Sequence, residues 1–173
     1  MKSNFRPKFD AEDVETLQSR YDRKYDQKLT NLVEPVREQR YLTKDDLRIL
    51  GEWKSPRIRS RLARNSDEDV RAATQFALES SSIKLAVYVP QALVGVGMPV
   101  ASTILHWFHR DPFPILDFRA LWSLGFDTLP AYSLDFWEDY VASIRDLQES
   151  WGFDVRTIDR ALWQFSKENQ PPG

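Results

Sequence analysis

The sequence predicts an all-α fold, and three observations lead to that prediction. Apolar residues recur at intervals of three and four along most of the chain, which is the spacing of one helix face. Sustained alternation of apolar and polar residues does not occur, nor do the Asn-Gly and Asp-Gly pairs typical of β-hairpins. Ser, Thr or Asp precedes several periodic stretches, where such residues cap helices. We expect about eight helices in residues 1–173, as one all-α domain or as two lobes.

Composition narrows the classes of protein to which the chain can belong. Hydrophobic residues make up 42% of its 173 residues, which is enough to bury a core. Cysteine is absent, which excludes disulfides, thiolate zinc sites and iron–sulfur clusters. We expect no membrane span, because no apolar run is long enough to cross a bilayer, and a reducing, cytoplasmic setting, because cysteine is absent. A net charge of −2 argues against bulk electrostatic coating of nucleic acid but allows a local basic face.

The first half of the chain should contain charged outer helices followed by short capped ones. From Asp10 to about Arg40 the spacing predicts one helix or a pair, with a kink or break at Pro35. Thr43 and Asp46 resemble a capping box that opens the next helix. Ser55-Pro56 and Ser66 should each start another helix, the second burying Val70, Ala73, Phe76 and Ala77.

Two apolar helices and a tight connection form the most informative segment. The helices should run from Ile83 to about Ala92, with a bend at Pro90, and from Pro99 to His109. The connection Leu93-Val94-Gly95-Val96-Gly97 is too short for ordinary side chains everywhere, so both glycines should meet backbone requirements.

The remaining helices are predicted from their caps. Asp117 should cap a helix that ends at Leu124-Gly125, and Ser133 should open a long helix to about Trp151. Asp154 should cap the last helix, and the tail 169–173 should be frayed.

The hairpin at residues 93–97 predicts a phosphate-binding site. Such a turn exposes backbone N–H groups at the start of the second helix, where the helix dipole adds positive charge. Gly95, Val96 and Gly97 are therefore candidates for binding the DNA backbone. The alternative is a helical corner that uses glycine only for close packing.

These residues also resemble a known family. The stretch from Leu93 to Leu105, followed by Phe113-Pro114-Ile115-Leu116-Asp117, is similar to the core of the helix–hairpin–helix DNA glycosylase superfamily. Its members carry a Leu-Pro-Gly-Val-Gly hairpin and a catalytic aspartate about twenty residues later, as Asp117 follows Gly97. The adenine-mismatch glycosylases share the Phe-Pro-Ile-Leu-Asp string most closely. The resemblance covers residues 83–124 and points to a divergent branch.

The resemblance implies a glycosylase-like helical bundle, a DNA duplex as partner and a role in base excision repair. Asp117 would be the catalytic residue, stabilising the positive charge that develops on the sugar during N-glycosidic cleavage. Pro99 stands where bifunctional members carry their lysine, which excludes lyase chemistry there, and the iron–sulfur cluster of some members cannot form. A monovalent cation at the hairpin is a further implication. Candidates for a base pocket are Trp107, Phe118, Arg119 and Trp122, although core packing and simple helix capping by Asp117 are the alternatives.

An arginine-rich segment lies upstream of the hairpin. Lys54 to Arg64 contains five cations and no acid. On a helix that starts at Pro56, Arg57, Arg61 and Arg64 would share one face, which we call the arginine stripe, while Ile58 and Leu62 face inward. The stripe could neutralise phosphates, or it could pair with nearby acids such as Glu52, Asp67, Glu68 and Asp69.

The sequence leaves two functional readings open. The leading one is a DNA-binding protein of glycosylase-like fold that acts, if it is an enzyme, as a monofunctional DNA N-glycosylase. The other is a non-enzymatic helix–hairpin–helix module or an interaction protein. His106, His109 and Asp111 are too few to predict a metal site. A network of Arg156, Asp159 and Arg160 could support Asp117 or Arg119. Protein partners are not predicted.

Overall fold

The computed structural model describes residues 5–171, and its regular elements there are all helical. The all-α prediction is confirmed, with ten α-helices in the described part of the chain. In chain order they are α1 (Val14–Arg20), α2 (Gln27–Gln39), α3 (Lys44–Lys54), α4 (Arg59–Leu62), α5 (Asp67–Glu79), α6 (Ile83–Tyr88), α7 (Met98–Phe108), α8 (Phe118–Ser123), α9 (Leu134–Trp151) and α10 (Val155–Asn169). Short 3-10 helices occur at Ala11–Asp13, Arg23–Asp26, Pro56–Ile58 and Val89–Ala92.

The chain forms two compact units. Arg23–Phe113 makes up one, here called the hairpin unit, and it contains α2 to α7. The stretch up to Asp22 and the stretch from Pro114 onward make up the other, here called the terminal unit, with α1 and α8 to α10.

The hairpin unit is built around α7. Every residue of that helix except Pro99 is buried, so α7 is covered on nearly all sides, as a central helix must be. Helices α2, α3, α5 and α6 all pack against it. The side chain of Thr74 on α5 accepts a 2.9 Å hydrogen bond from the Leu42 amide, which fixes the turn between α2 and α3. The core of this unit therefore surrounds the helix that follows the hairpin.

Most helix starts in the hairpin unit agree with the predicted caps. Thr43 and Asp46 form the expected capping box, and the Ser66 side chain caps α5. The predicted helix at Pro56 is instead a 3-10 turn followed by the single turn of α4. The stretch 83–92 likewise divides into α6 and a 3-10 turn at Pro90, because proline lacks the N–H that an α-helix needs there. Phe76, predicted to be buried, is 44% exposed.

Of the kink or break predicted at Pro35, the break is wrong. Pro35 lies inside α2, and the helix continues through it. The chain breaks instead at Tyr21, whose extended backbone ends α1 and whose ring packs edge-on against Trp163 at 5.4 Å. Helices α1 and α2 thus belong to different units. The end of α1 coincides with a contact between residues that are distant in sequence, which local spacing cannot predict.

In the terminal unit, α10 packs against α1, α8 and α9. Ser133 and Asp154 cap α9 and α10 as predicted, and Gly152 ends α9 in the left-handed conformation. Trp137 and Tyr140 are the largest fully buried side chains. Helix α10 extends to Asn169, and Pro172 and Gly173 of the predicted frayed tail lie outside the described residues. No helix within residues 5–171 is long and apolar enough to span a membrane.

Candidate nucleic-acid interface and the Asp117 site

Gly95 and Gly97 have different structural roles in the hairpin. Gly95 has φ +86°, and a Cβ atom on it would lie 3.0 Å from Cβ of Arg61 and 3.2 Å from Cδ2 of Leu62. Gly97 has φ −98°, and a Cβ atom there would meet only Pro99, at 3.8 Å. The expectation that both glycines meet backbone requirements is therefore correct for Gly95 and wrong for Gly97, whose extended conformation any residue can adopt.

The side chain of Asn65 joins the hairpin to the end of α4. Its Oδ1 accepts a 2.7 Å hydrogen bond from the Val94 amide, and its Nδ2 donates to the carbonyls of Val94 and Leu62, each at 3.0 Å. The side chain is buried, with 6% of the residue exposed. Because three hydrogen bonds join one side chain to both segments, the hairpin holds a defined position relative to α4.

The start of α7 has features of an anion site. Gly97 is the exposed N-cap residue, and no side chain caps the helix. The first turn contains no acidic residue, so nothing within it offsets the positive end of the helix dipole. Among residues 5–171, the amides of Gly95 and Gly97 donate to no backbone carbonyl, whereas the Val96 amide closes the turn onto Leu93 at 3.1 Å. These amides are therefore free of backbone partners within that stretch and can donate hydrogen bonds to an anion from solvent.

The arginine stripe lies beside this hairpin. Arg57, Arg61 and Arg64 are all exposed, while Leu62 is buried, as the helical spacing predicts. The close approach of Gly95 to Arg61 places the middle of the stripe against the turn. None of the three arginines forms an ion pair with a described residue.

Two of the nearby acids contact groups other than the stripe. Glu52 pairs with Arg59 at 3.3 Å and with Arg48 at 3.1 Å. Asp69 accepts a 2.6 Å hydrogen bond from Ser66 at the start of α5. The alternative in which the stripe is a face neutralised by its acidic neighbours therefore does not match the observed contacts.

Asp117 caps α8 in the terminal unit. Its Oδ1 accepts a 2.9 Å hydrogen bond from the Arg119 amide, and the residue is half-buried. Burial and the negative charge of Asp117 raise the pKa of Tyr132. Burial, followed by the charges of Asp159 and Asp117, raises the pKa of Tyr140 well above its usual range. The negative charge of Asp117 thus contributes to the raised pKa of both tyrosines.

The predicted pocket residues have varied environments. Trp107 is buried in the hairpin unit, with its ring edge-on to Trp53 at 5.9 Å. Phe118 is 46% exposed. The Arg119 guanidinium lies 5.1 Å from the Phe118 ring and 5.5 Å from the Trp163 ring, both in the terminal unit.

Trp122 belongs to the same unit as Phe118 and Arg119. It stacks on Phe165 at 5.9 Å, with the Lys8 ammonium 3.7 Å from its ring centre. Phe118, Arg119 and Trp122 therefore share helix α8 with the Asp117 cap.

A polar network does form on α10. The Arg156 guanidinium donates to the Asp159 carboxylate, and both side chains are largely buried. Arg156 also lies 5.4 Å from the Tyr21 ring centre. The negative charges of Asp159 and Asp117 both contribute to the raised pKa of Tyr140.

The two histidines are buried and bond to backbone atoms. Nδ1 of His106 lies 2.7 Å from the Phe113 carbonyl oxygen. His109 contacts the carbonyl oxygens of Asp111 at 2.8 Å and Ser80 at 3.2 Å. Both rings thus hold the chain that follows α7.

The sequence does not predict a role for three residues around these sites. Asn65 precedes the Ser66 cap, and no local pattern connects it with Val94, which is 29 residues away. Tyr132 and Tyr140 flank the start of α9, where aromatic residues at helical spacing predict only core. No signal in one sequence would have identified them.

Comparisons with protein-family models, curated proteins and solved structures give no match. The resemblance to DNA glycosylases therefore rests on the hairpin, the spacing and the Phe-Pro-Ile-Leu-Asp string alone.

Proposed function

We propose that the chain binds duplex DNA through its phosphate backbone, using the hairpin and the arginine stripe. The observation that carries the proposal is the packing of Gly95 against Arg61. It brings Arg61, the middle one of three exposed arginines that have no ion-pair partner within residues 5–171, next to an uncapped helix amino end.

The two parts of this surface suit phosphates in different ways. The hairpin amides and the dipole of α7 would hold one phosphate without any basic side chain. The guanidinium groups would contact neighbouring phosphates, for which their planar fork is well matched. None of these groups reads base edges, so binding should be independent of sequence.

Fluorescence anisotropy with a labelled duplex tests this proposal. A surface that contacts three phosphates through arginine should give a slope of about −2.7 for log K against log salt concentration. In the variant Arg57→Gln, Arg61→Gln, Arg64→Gln, the affinity and most of that slope should be lost. The control Lys28→Gln, Arg71→Gln, Lys167→Gln removes the same charge from other positions and should retain binding. Equal losses in both variants, or no binding at low salt by the unaltered protein, would contradict the proposal.

A second proposal is that Asp117 makes the chain a monofunctional DNA N-glycosylase, a proposal that the resemblance motivates. It is supported by the fixed orientation of the carboxylate, with one oxygen held by the Arg119 amide, and by its partial exposure. In the reaction, the bond between the base and C1′ breaks and the base leaves with the electron pair. Asp117 stabilises the cationic sugar, water adds its hydroxyl to C1′, and the remaining proton goes to the base.

The assay uses duplexes that carry uracil, alkylated bases, oxidised bases or mismatches. Base removal leaves a strand that alkali cleaves, and Asp117→Asn should abolish that cleavage. Asp154→Asn is the matched control, because it changes another helix-capping aspartate of the same unit. Alkali cleavage that persists in Asp117→Asn would exclude this role.

Two outcomes would select the alternative functions. Duplex binding without cleavage of any substrate would make the chain a non-enzymatic DNA-binding module. The absence of both binding and cleavage would favour an interaction protein.

A further inference from the structure

The hairpin unit contains a depression of about 650 Å³. It lies where the carboxyl ends of α2, α5 and α7 come together. Its floor is apolar, formed by the buried residues Val36, Leu78 and Phe108. A volume of this size is typical of sites for small organic molecules.

Three arginines line this depression. Arg37 and Arg40 come from the end of α2, and Arg110 follows α7. The single carboxylate in the lining is that of Glu79, which lies 3.7 Å from the Arg40 guanidinium. Within residues 5–171, Arg37 and Arg110 form no ion pair. The lining therefore carries an excess of two positive charges, in a chain whose net charge is −2.

The segments that carry these arginines are held in place. Arg40 has φ +65°, the left-handed conformation that normally favours glycine, and its amide donates a 2.7 Å hydrogen bond to the Val36 carbonyl. The next turn is fixed by the bond from the Leu42 amide to Thr74. Beyond α7, His109 contacts the Ser80 carbonyl oxygen at the end of α5. The depression is thus formed before any ligand binds, which lowers the entropic cost of binding.

We propose that this depression binds a small organic phosphate, specifically a phosphomonoester attached to a nucleoside-sized or sugar-sized group. Guanidinium groups bind phosphate oxygens in pairs through their planar fork. A phosphomonoester carries a charge of about −1.5 to −2 at neutral pH, which matches the excess of the lining. The apolar floor would contact the organic part, and Glu79 would accept a hydrogen bond from it.

Helix dipoles offer another reason for arginines at these positions. Cations stabilise the carboxyl end of a helix by offsetting its partial negative charge. That explanation predicts an effect of each arginine on stability and none on ligand binding. Arg40→Gly distinguishes the helix-dipole explanation from ligand binding. Glycine removes the charge but also relieves the left-handed backbone, so a loss of ligand binding need not come with a loss of stability.

Isothermal titration calorimetry of the full chain, with adenosine 5′-monophosphate, ribose 5-phosphate, inorganic phosphate and adenosine, tests the site. The two phosphomonoesters should bind, inorganic phosphate should bind more weakly, and adenosine should not bind. Arg40→Gly, Arg37→Gln and Arg110→Gln should each weaken binding by about tenfold or more. Lys28→Gln, which removes a cation from the opposite end of α2, should have no effect. In all variants the free energy of unfolding is measured in parallel.

A 5′-phosphorylated oligonucleotide and its 5′-hydroxyl counterpart distinguish a free phosphomonoester from a strand end. Tighter binding of the oligonucleotide than of the mononucleotide, lost together with its 5′-phosphate, would overturn the small-molecule assignment. The proposal is also overturned if no phosphomonoester binds, or if Arg40→Gly retains full affinity.

Discussion

Gly95 and Gly97 lie two residues apart in the hairpin, yet the structure assigns them different tolerances. A side chain at position 95 would combine a left-handed backbone with contacts of 3.0 and 3.2 Å to Arg61 and Leu62. Position 97 is exposed and extended. The sequence could predict that a five-residue connection needs glycine. It could not predict which of the two positions requires it, because that depends on how α4 packs against the turn.

The glycine prediction is tested with one substitution at both positions. Gly95→Ser should lower the free energy of unfolding by about 1 to 3 kcal/mol, since backbone strain and overpacking add together. Gly97→Ser should change it by less than about 0.5 kcal/mol, because serine is a good N-cap residue. Chemical denaturation measures both values. Similar losses at the two positions would show that the hairpin is not packed as described.

Asn65 shows what a single sequence cannot provide at the residue scale. Asn65→Asp keeps the acceptor for the Val94 amide but loses both donors and buries a charge against carbonyl oxygens. We expect a loss of about 2 to 3 kcal/mol in the free energy of unfolding. Asn31→Asp, at an exposed residue that only accepts from Gln27, is the control and should lie within about 0.5 kcal/mol of the original protein. A loss at Asn65 no larger than at Asn31 would show that the three hydrogen bonds of Asn65 do not hold the hairpin in place.

At the scale of elements, caps are the most predictable features of the fold. Thr43, Ser66, Ser133 and Asp154 each start a helix where the sequence predicts one, because a cap is a local hydrogen bond between near neighbours. Helix ends and breaks are less predictable. Tyr21 ends α1 through contacts with α10, whereas Pro35 does not interrupt α2.

The cap of α10 should make stability depend on pH. Burial by itself raises the pKa of Asp154, but hydrogen bonds from Thr157 and the Arg156 amide, together with the positive charge of Arg160, outweigh it and lower the pKa below its ordinary value of 3.8. Because the pKa of Asp154 is lower in the folded chain than in the unfolded chain, the ionised cap stabilises the fold at pH values above the unfolded-state pKa. This stabilisation is lost as the pH falls through the folded-state pKa. Asp154→Ala should therefore cost about 1 kcal/mol at neutral pH and less in acid.

Ser133→Ala is the control for this dependence, because the serine cap of α9 carries no titratable group. Its cost should be about 1 kcal/mol at every pH. Urea denaturation of both variants and the original protein, from about pH 7 to about pH 3, provides the comparison. A cost of Asp154→Ala that stays constant over that range would contradict the assignment.

For the whole molecule, the division into two units changes how the resemblance to DNA glycosylases must be interpreted. The hairpin and the arginine stripe belong to the hairpin unit, whereas Asp117 belongs to the terminal unit, although only twenty residues separate it from Gly97. Sequence spacing could predict both motifs but not this boundary at Phe113. The net charge of −2 does not describe the local charge of each unit, since all three arginines of the stripe lie in the hairpin unit.

This division predicts that DNA affinity and base removal can be lost separately. Asp117→Asn should leave the dissociation constant for duplex DNA within about twofold of the original, because the charge lies outside the unit that holds the phosphate contacts. It should nevertheless abolish the production of alkali-labile sites. Replacement of Arg57, Arg61 and Arg64 by glutamine should weaken duplex binding by about tenfold or more at low salt, and base removal should recover at high enzyme concentration. Anisotropy and single-turnover cleavage on the same duplex measure the two effects. If Asp117→Asn weakened binding as strongly as the arginine variant does, the assignment of separate roles to Asp117 and the arginine stripe would be wrong.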